Sequence, residues 1–290
     1  MNRGIVYALS AYIFWGLHPI YWKQLQNIPS TEIVAHRIVW SLIFFVFIIS
    51  MRKHWVIFKQ KIVDTKTRWI LVLPAFLIGS NWAMYIWAVN AGFIIETSLG
   101  YFISPLVSVF LGVFILKETL EKIQWTAIII AVCGVLVMTF VYGHFPWISL
   151  FLAATWGTYG LLRKKSPLNA IEGLLLETSV LSVPAVLYLI YLVSTASFSF
   201  ASEFKISLLL AGTGILSGLP LIIYISGARI INLSLIGILQ YVYPTIIFII
   251  GYFIYDEPMN EAKIIGFIFI WIAIFLYTIG RKLNFRANNI

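Results

Sequence analysis

Along the whole chain, apolar runs of about 20 residues alternate with short polar turns. The runs fall at 4–23, 32–51, 69–90, 96–116, 123–141, 146–162, 170–193, 206–227, 233–255 and 263–281. None shows the strict apolar–polar alternation of a barrel strand; each is apolar all round. A helix of about 20 residues spans a hydrocarbon core of about 30 Å, and in lipid a helix satisfies its own backbone. The pattern predicts an all-α polytopic membrane protein with ten transmembrane helices. The first run is too long for a signal h-region. It contains Trp15, His18 and Pro19, and no small-x-small cleavage site follows, so it reads as a spanning helix.

The polar punctuation repeats. Adding 139 to each position takes Gly79 to Gly218, Tyr85 to Tyr224, Pro105 to Pro244, Gly112 to Gly251 and Glu118 to Glu257. No gap is needed between residues 79 and 136. At a neighbouring offset of 141, Trp15-Gly16 becomes Trp156-Gly157. Isoleucine matches mean little in apolar runs, but proline and glutamate are rare there, and both match at one register. Two five-helix repeats are expected, 1–142 and 143–290.

Composition now adds the solvent. The chain is 61% hydrophobic and 11% charged over 290 residues, more apolar surface than a soluble chain of that length buries. Cys133 is the single cysteine, so no intramolecular disulfide forms. The net charge of +9 would point to nucleic acid in a soluble protein. Here 16 of the 20 Lys and Arg fall in turns on one side, which places both termini in the cytoplasm and predicts no nucleic-acid partner. Because each repeat has an odd number of helices, the second is inserted upside down relative to the first. Function is then expected between the halves, at a shared site.

Candidate chemistry is sparse. Ser98, Tyr101, Pro105, Ser108 and Gly112 share one helix face, and Gly237, Gln240, Pro244 and Gly251 share its counterpart. Tyr101 and Gln240 are candidates to meet a substrate, with Pro105 and Pro244 as kinks; the same spacing suits a packing face. Glu118 and Glu257 end these helices, where a carboxylate opposes the dipole. Each is expected to cap the next helix, pair with a loop cation or form part of a gate. Glu32 and His36 lie one turn apart, and Arg37 sits about 8 Å inside its helix end, costly enough to suggest function, though it can also snorkel outward. Glu177, about 10 Å inside, is the 141-offset counterpart of His36 and is read as a substrate counter-ion or proton site, or as a neutral hydrogen-bonded acid. Asn81 and Tyr85 share a face and complete the substrate-cavity candidates, among tryptophans that line a cavity or simply pack. There is no P-loop, no HExxH and no clustered histidine, so no metal and no cofactor is expected, and any active transport is gradient-driven.

The segments AYIFWG (11–16), EIVAHRIVWS (32–41), IGSNWAMYIWAVN (78–90), ETSLGYFISPLVSVFLG (96–112) and YGLLRKK (159–165) resemble the drug/metabolite transporter superfamily, its EamA-type branch, and within that the RarD family. The resemblance covers nearly the whole chain. It implies ten helices in two inverted halves around a cavity open to one side at a time, moving small metabolites or drugs, usually outward. One departure is Asp256 before Glu257, where a small residue is expected. The expected protein is a multi-pass permease of the inner or plasma membrane rather than an enzyme, with a small-molecule substrate and the lipid bilayer as partners. Coupling to protons or another ion, and monomer against homodimer, stay open. A membrane-embedded enzyme, a lipid flippase and a non-transporting receptor or subunit are the alternatives.

Overall fold

A computed structural model describes residues 2–63, 65–91, 93–255 and 261–287. The described residues contain helices and connections and no strand. In order they are α1 (Arg3–Gly16), α2 (His18–Trp22), α3 (Ser30–Met51), α4 (Trp55–Val63), α5 (Thr65–Asn90), α6 (Ile94–Phe114), α7 (Lys122–Tyr142), α8 (Trp147–Lys165), α9 (Ala170–Ser194), α10 (Phe204–Ala228), α11 (Leu233–Gln240), α12 (Val242–Ile254) and α13 (Glu261–Ala287). Every apolar run of the sequence is occupied by helix. Among the described residues, six helical stretches are long and apolar enough to cross a membrane, counting 233–254 as one, and α5 and α13 contain shorter apolar stretches at 72–88 and 264–280.

Three features depart from the sequence expectation. The first run is two helices, because Pro19 follows a break at Leu17 and begins a new turn where its missing N–H is no loss. The run 233–255 is also two helices, parted at Tyr241 ahead of Pro244. The basic segment after α3, expected to be a loop, contains α4, whose Phe58 is buried while Lys59 and neighbouring polar residues stay exposed. Helix ends carry readable signals. Asn169 and Glu172 form a reciprocal capping box at the start of α9, Glu121 and Gln124 do so for α7, and Gly143 closes α7 at φ +77°, which a residue with a Cβ resists.

The chain forms two compact units, and each draws on both halves of the sequence. The first comprises residues 1–86 and 162–230, the second 87–161 and 231–290. In the first unit, α3 packs on α9 and α10, and α10 packs on α1. Ala35, Ile38 and Ala185 form a core there, covered by Leu181, Trp82 and Tyr188. Glycines permit the approach: a Cβ on Gly79 would lie 2.5 Å from Leu181, and one on Gly218 would lie 3.0 Å from Phe44 and Phe45. In the second unit, α7 packs on α13 and α6 on α11. Large apolar side chains such as Phe47, Phe140 and Phe204 are exposed, as expected where the surrounding medium is lipid.

Candidate functional site

Within the first unit, the α3 candidates separate by helix face. Glu32 is fully buried at the start of α3. Its carboxylate accepts from the Ser199 backbone N–H at 2.7 Å and from the Ser199 hydroxyl at 2.8 Å, which ties down the turn before α10. His36, one turn on, brings Nε2 to 3.8 Å from Glu32 and stacks on Phe200 with ring centroids 5.1 Å apart. The expected Glu32–His36 neighbourhood is therefore present, and the histidine is walled by aromatics. Arg37 turns the other way and sets its guanidinium carbon 4.0 Å above the Trp82 ring of α5, a cation–π contact. Asn81 is partly buried beside it in sequence, and Tyr85 is partly exposed one turn later; both make contacts of their own. Arg37 also acts electrostatically on His18 at the head of α2.

Glu177 is buried on α9, and its counter-ion is Arg163, with Nε 3.4 Å from Oε1. Sequence reading counted Arg163 only as a topogenic loop cation. It lies inside α8 and is fully buried, and its Nη2 donates to the carbonyls of Asn169 (3.1 Å) and Ala170 (3.2 Å). The signal for this was present. Gly173 precedes Glu177 by one turn on the same face, and its missing side chain is the slot the guanidinium fills. Around this pair, Lys61 of α4 donates to both oxygens of Glu172 at 2.9 Å, Lys164 to the Ala228 carbonyl at 2.9 Å, and Arg229 to the Ser166 carbonyl at 2.7 Å. Partial burial lowers the Arg229 pKa from its ordinary value, the Arg163 charge adds to that, and Glu172 opposes it. Lys164 and Arg229 bind carbonyls at the C-terminal ends of α10 and α8, where the dipole favours positive charge, whereas Arg163 reaches carbonyls at the start of α9 and Lys61 the Glu172 carboxylate. They lace the ends of α8, α9 and α10 together.

In the second unit, Tyr101 and Gln240 sit on the crossing helices α6 and α11. Tyr101 meets Tyr243 edge to face at 5.1 Å, and Gln240 is only 4% exposed. Pro105 lies within α6 and is buried; Pro244 lies in the first turn of α12 and is also buried. Glu118 has a defined task. Lys117 adopts φ +57°, the Glu118 N–H donates to the Gly112 carbonyl at 3.0 Å, and the chain folds back over the end of α6. The carboxylate then accepts from the backbone N–H groups of Leu233 (2.6 Å) and Ser234 (2.9 Å), and from the Ser234 hydroxyl. It caps α11, where the dipole favours an anion. Gly112 is required for this, since a Cβ there would lie 2.6 Å from the carboxylate. Glu257 lies outside the described residues.

Comparison with known proteins agrees with this architecture. The model of the EamA-like transporter family matches residues 2–140. The chain is 40% identical to an uncharacterized transporter, YojE, of Bacillus subtilis, covering 99% of this chain and 97% of that one. It is 38% identical to the protein RarD of Escherichia coli, covering 95% and 94%. It is 29% identical to a chloramphenicol-sensitive protein RarD of Pseudomonas aeruginosa, covering 95% and 93%. A crystal structure of a protein with 15% identity aligns over 98% of this chain and 99% of that one with a TM-score of 0.73, a shared fold. The chain belongs to the EamA-like transporter family, in its RarD branch.

Proposed function

We propose that the protein is a secondary transporter that exports small organic metabolites or drugs by alternating access, using two inverted five-helix repeats, 1–142 and 143–290. In this reading it crosses the cell membrane ten times with both termini in the cytoplasm. It performs no chemistry on its substrate.

The observation that carries the reading is how the helices pair. At an offset of 139 to 141, α3 corresponds to α9, α6 to α11 and α12, and α7 to α13. Each of these helices packs on its own counterpart: α3 on α9, α6 on α11, α7 on α13. A duplicated chain pairs each element with its copy when the copies are related by a twofold axis. The hydrogen bond from the Tyr241 hydroxyl to the Phe102 carbonyl joins residues 139 apart, as expected where such an axis passes. Gly79 of α5, against α9, and Gly218 of α10, against α3, repeat the same close approach. Symmetry of this kind lets the two copies exchange conformations, which is the basis of alternating access. The residues expected to meet substrate are His36, Arg37, Asn81, Tyr85 and Glu177 in the first unit, and Tyr101 and Gln240 in the second. Pro105 and Pro244 are the proposed kinks, and Glu118 and Glu257 the proposed gate residues.

The test is flux through purified protein in liposomes, with an amino-acid and drug panel, with and without a pH gradient. Protein-dependent, saturable flux of at least one solute is expected. Absence of flux for every solute would remove the transport reading. Glu177→Gln leaves Arg163 without a full counter-charge and is expected to lower flux at least about tenfold. Flux equal to wild type would take Glu177 out of the mechanism.

A further inference from the structure

The connection between α3 and α5 concentrates positive charge. Residues 52–68 carry Arg52, Lys53, Lys59, Lys61, Lys66 and Arg68 against Asp64 alone, which lies outside the described residues. Within this connection α4 is a helix of nine residues. At 1.5 Å per residue it is roughly 14 Å long, too short to cross a bilayer. Its surroundings are therefore set at the end of the spanning helices, where headgroups meet water.

α4 is held in place from both sides. After α3 the backbone of Lys53 takes φ +52°, which turns the chain off the helix axis. Trp55 Nε1 then donates to the Ser50 hydroxyl at 2.9 Å, and Phe58 is buried. One turn from its other end, Lys61 donates to both oxygens of Glu172 at 2.9 Å. Glu172 is also the reciprocal partner of Asn169 in the capping box that starts α9. These ties fix which face of α4 points outward.

That face is mixed. Val56, Lys59 and Val63 follow the i, i+3, i+7 spacing of one helix face. All three are exposed, Val56 at 66% and Val63 at 68%. Arg52 and Lys53, in the turn before α4, are exposed as well. Among the described residues no acid pairs with Arg52, Lys53 or Lys59. Water would suit these cations but not the valines, and hydrocarbon the reverse. The boundary between headgroups and acyl chains suits both, since apolar side chains enter its inner edge while long cationic ones reach phosphate. A net positive cluster favours anionic lipid over zwitterionic.

We propose that α4 and the Arg52–Lys53 turn form a binding surface for anionic phospholipid. Arg52, Lys53 and Lys59 meet the lipid phosphates, and Val56 and Val63 enter the acyl boundary. Through the Lys61–Glu172 clasp, bound lipid also steadies the start of α9, the helix that carries Glu177. The surface depends on membrane embedding and not on transport.

The test places an environment-sensitive fluorophore on Val56→Cys in a Cys133→Ser background. The purified full chain in detergent is titrated with short-chain phosphatidylglycerol and, in parallel, with phosphatidylcholine. A saturable blue shift is expected at lower concentration with phosphatidylglycerol. Lys53→Gln and Lys59→Gln should each weaken that response about fivefold and leave the phosphatidylcholine response in place. Lys205→Gln removes the same charge from an exposed site at the start of α10 and should change neither. Unlabelled wild type should gain thermal stability from phosphatidylglycerol beyond phosphatidylcholine, and this readout carries the test should the labelled chain fail to fold. Equal responses to the two lipids, or a preference kept when both α4-side lysines are replaced, overturn the proposal. So does a preference lost equally in Lys205→Gln, which would mark bulk charge rather than a surface. Lipid preference without solute flux in liposomes would leave this surface standing and remove the transport reading. Flux without lipid preference would do the reverse.

Discussion

The two copies of the proline-containing run share a register and differ in form. α6 passes through Pro105 unbroken, while α11 and α12 part at Tyr241, three residues before Pro244. Both prolines remove the same bond. What differs is the support nearby. In α6, Ser104 stands before the proline, and its hydroxyl donates to the Gly100 carbonyl at 2.7 Å, which reinforces the turn that the proline weakens. In the other copy that place belongs to Tyr243, and the chain slips into a tighter turn, with the Tyr241 N–H donating to Ile238 at 3.3 Å. α11 is then an eight-residue element held at both ends, by Glu118 of the turn after α6 at its start and by the Phe102 carbonyl of α6 just past its close. A proline sets where a helix is weak; its neighbours decide whether it breaks there.

Removing Glu118 should disturb this arrangement most. Glu118→Ala leaves the Leu233 and Ser234 N–H groups without their acceptor and should cost roughly 2–3 kcal/mol, read as a lowered unfolding midpoint of purified protein. Glu118→Gln keeps an acceptor but not the charge and should fall between the two. A melting curve for Glu118→Ala that overlays wild type would mean α11 is seated without the clasp. The close approach at Gly237 comes next. Gly237→Ala places a Cβ against the Pro105 carbonyl and 3.0 Å from Ser108, and should cost about 1–2 kcal/mol as the helices shift apart. The α6 position in register is Ser98, so Ser98→Gly should be tolerated far better; equal losses at the two positions would erase the asymmetry.

Much of this was legible in the chain. The apolar runs located the helices, and the 139 offset marked the two copies; that each helix packs on its own counterpart came only with the structure. Glu118 was expected to cap the next helix, pair with a cation or gate; it caps α11, far along the chain, and the next helix is capped by Glu121. What was hidden depended on tertiary approach. Arg163 reads as one of three consecutive cations at a helix end, and only the slot at Gly173 shows why the first is buried against Glu177. α4 was missed because its run is short and half polar, too weak a period to separate from a loop. The Asn169–Glu172 capping box, by contrast, is a local pattern that sequence alone displays.

Tyr241→Phe should have the smallest effect and the sharpest meaning. The ring is fully buried and its volume is kept, so only the hydrogen bond to the Phe102 carbonyl is lost. Side-chain hydrogen bonds between membrane helices contribute about 0.6 kcal/mol on average and at most about 1.7, so the unfolding midpoint should move by about one to two degrees for an average bond. The hydroxyl has a second consequence for the helix break. It draws the chain at Tyr241 toward α6, whereas the Ser104 hydroxyl bonds within its own helix and makes no such tether. If the tether sets the break, Tyr241→Phe should relax the turn, and a spin label pair spanning α11 and α12 should report a broader distance distribution. If the distribution is unchanged while stability falls by the expected amount, Pro244 alone sets the break, and the difference between the two copies lies at Ser104.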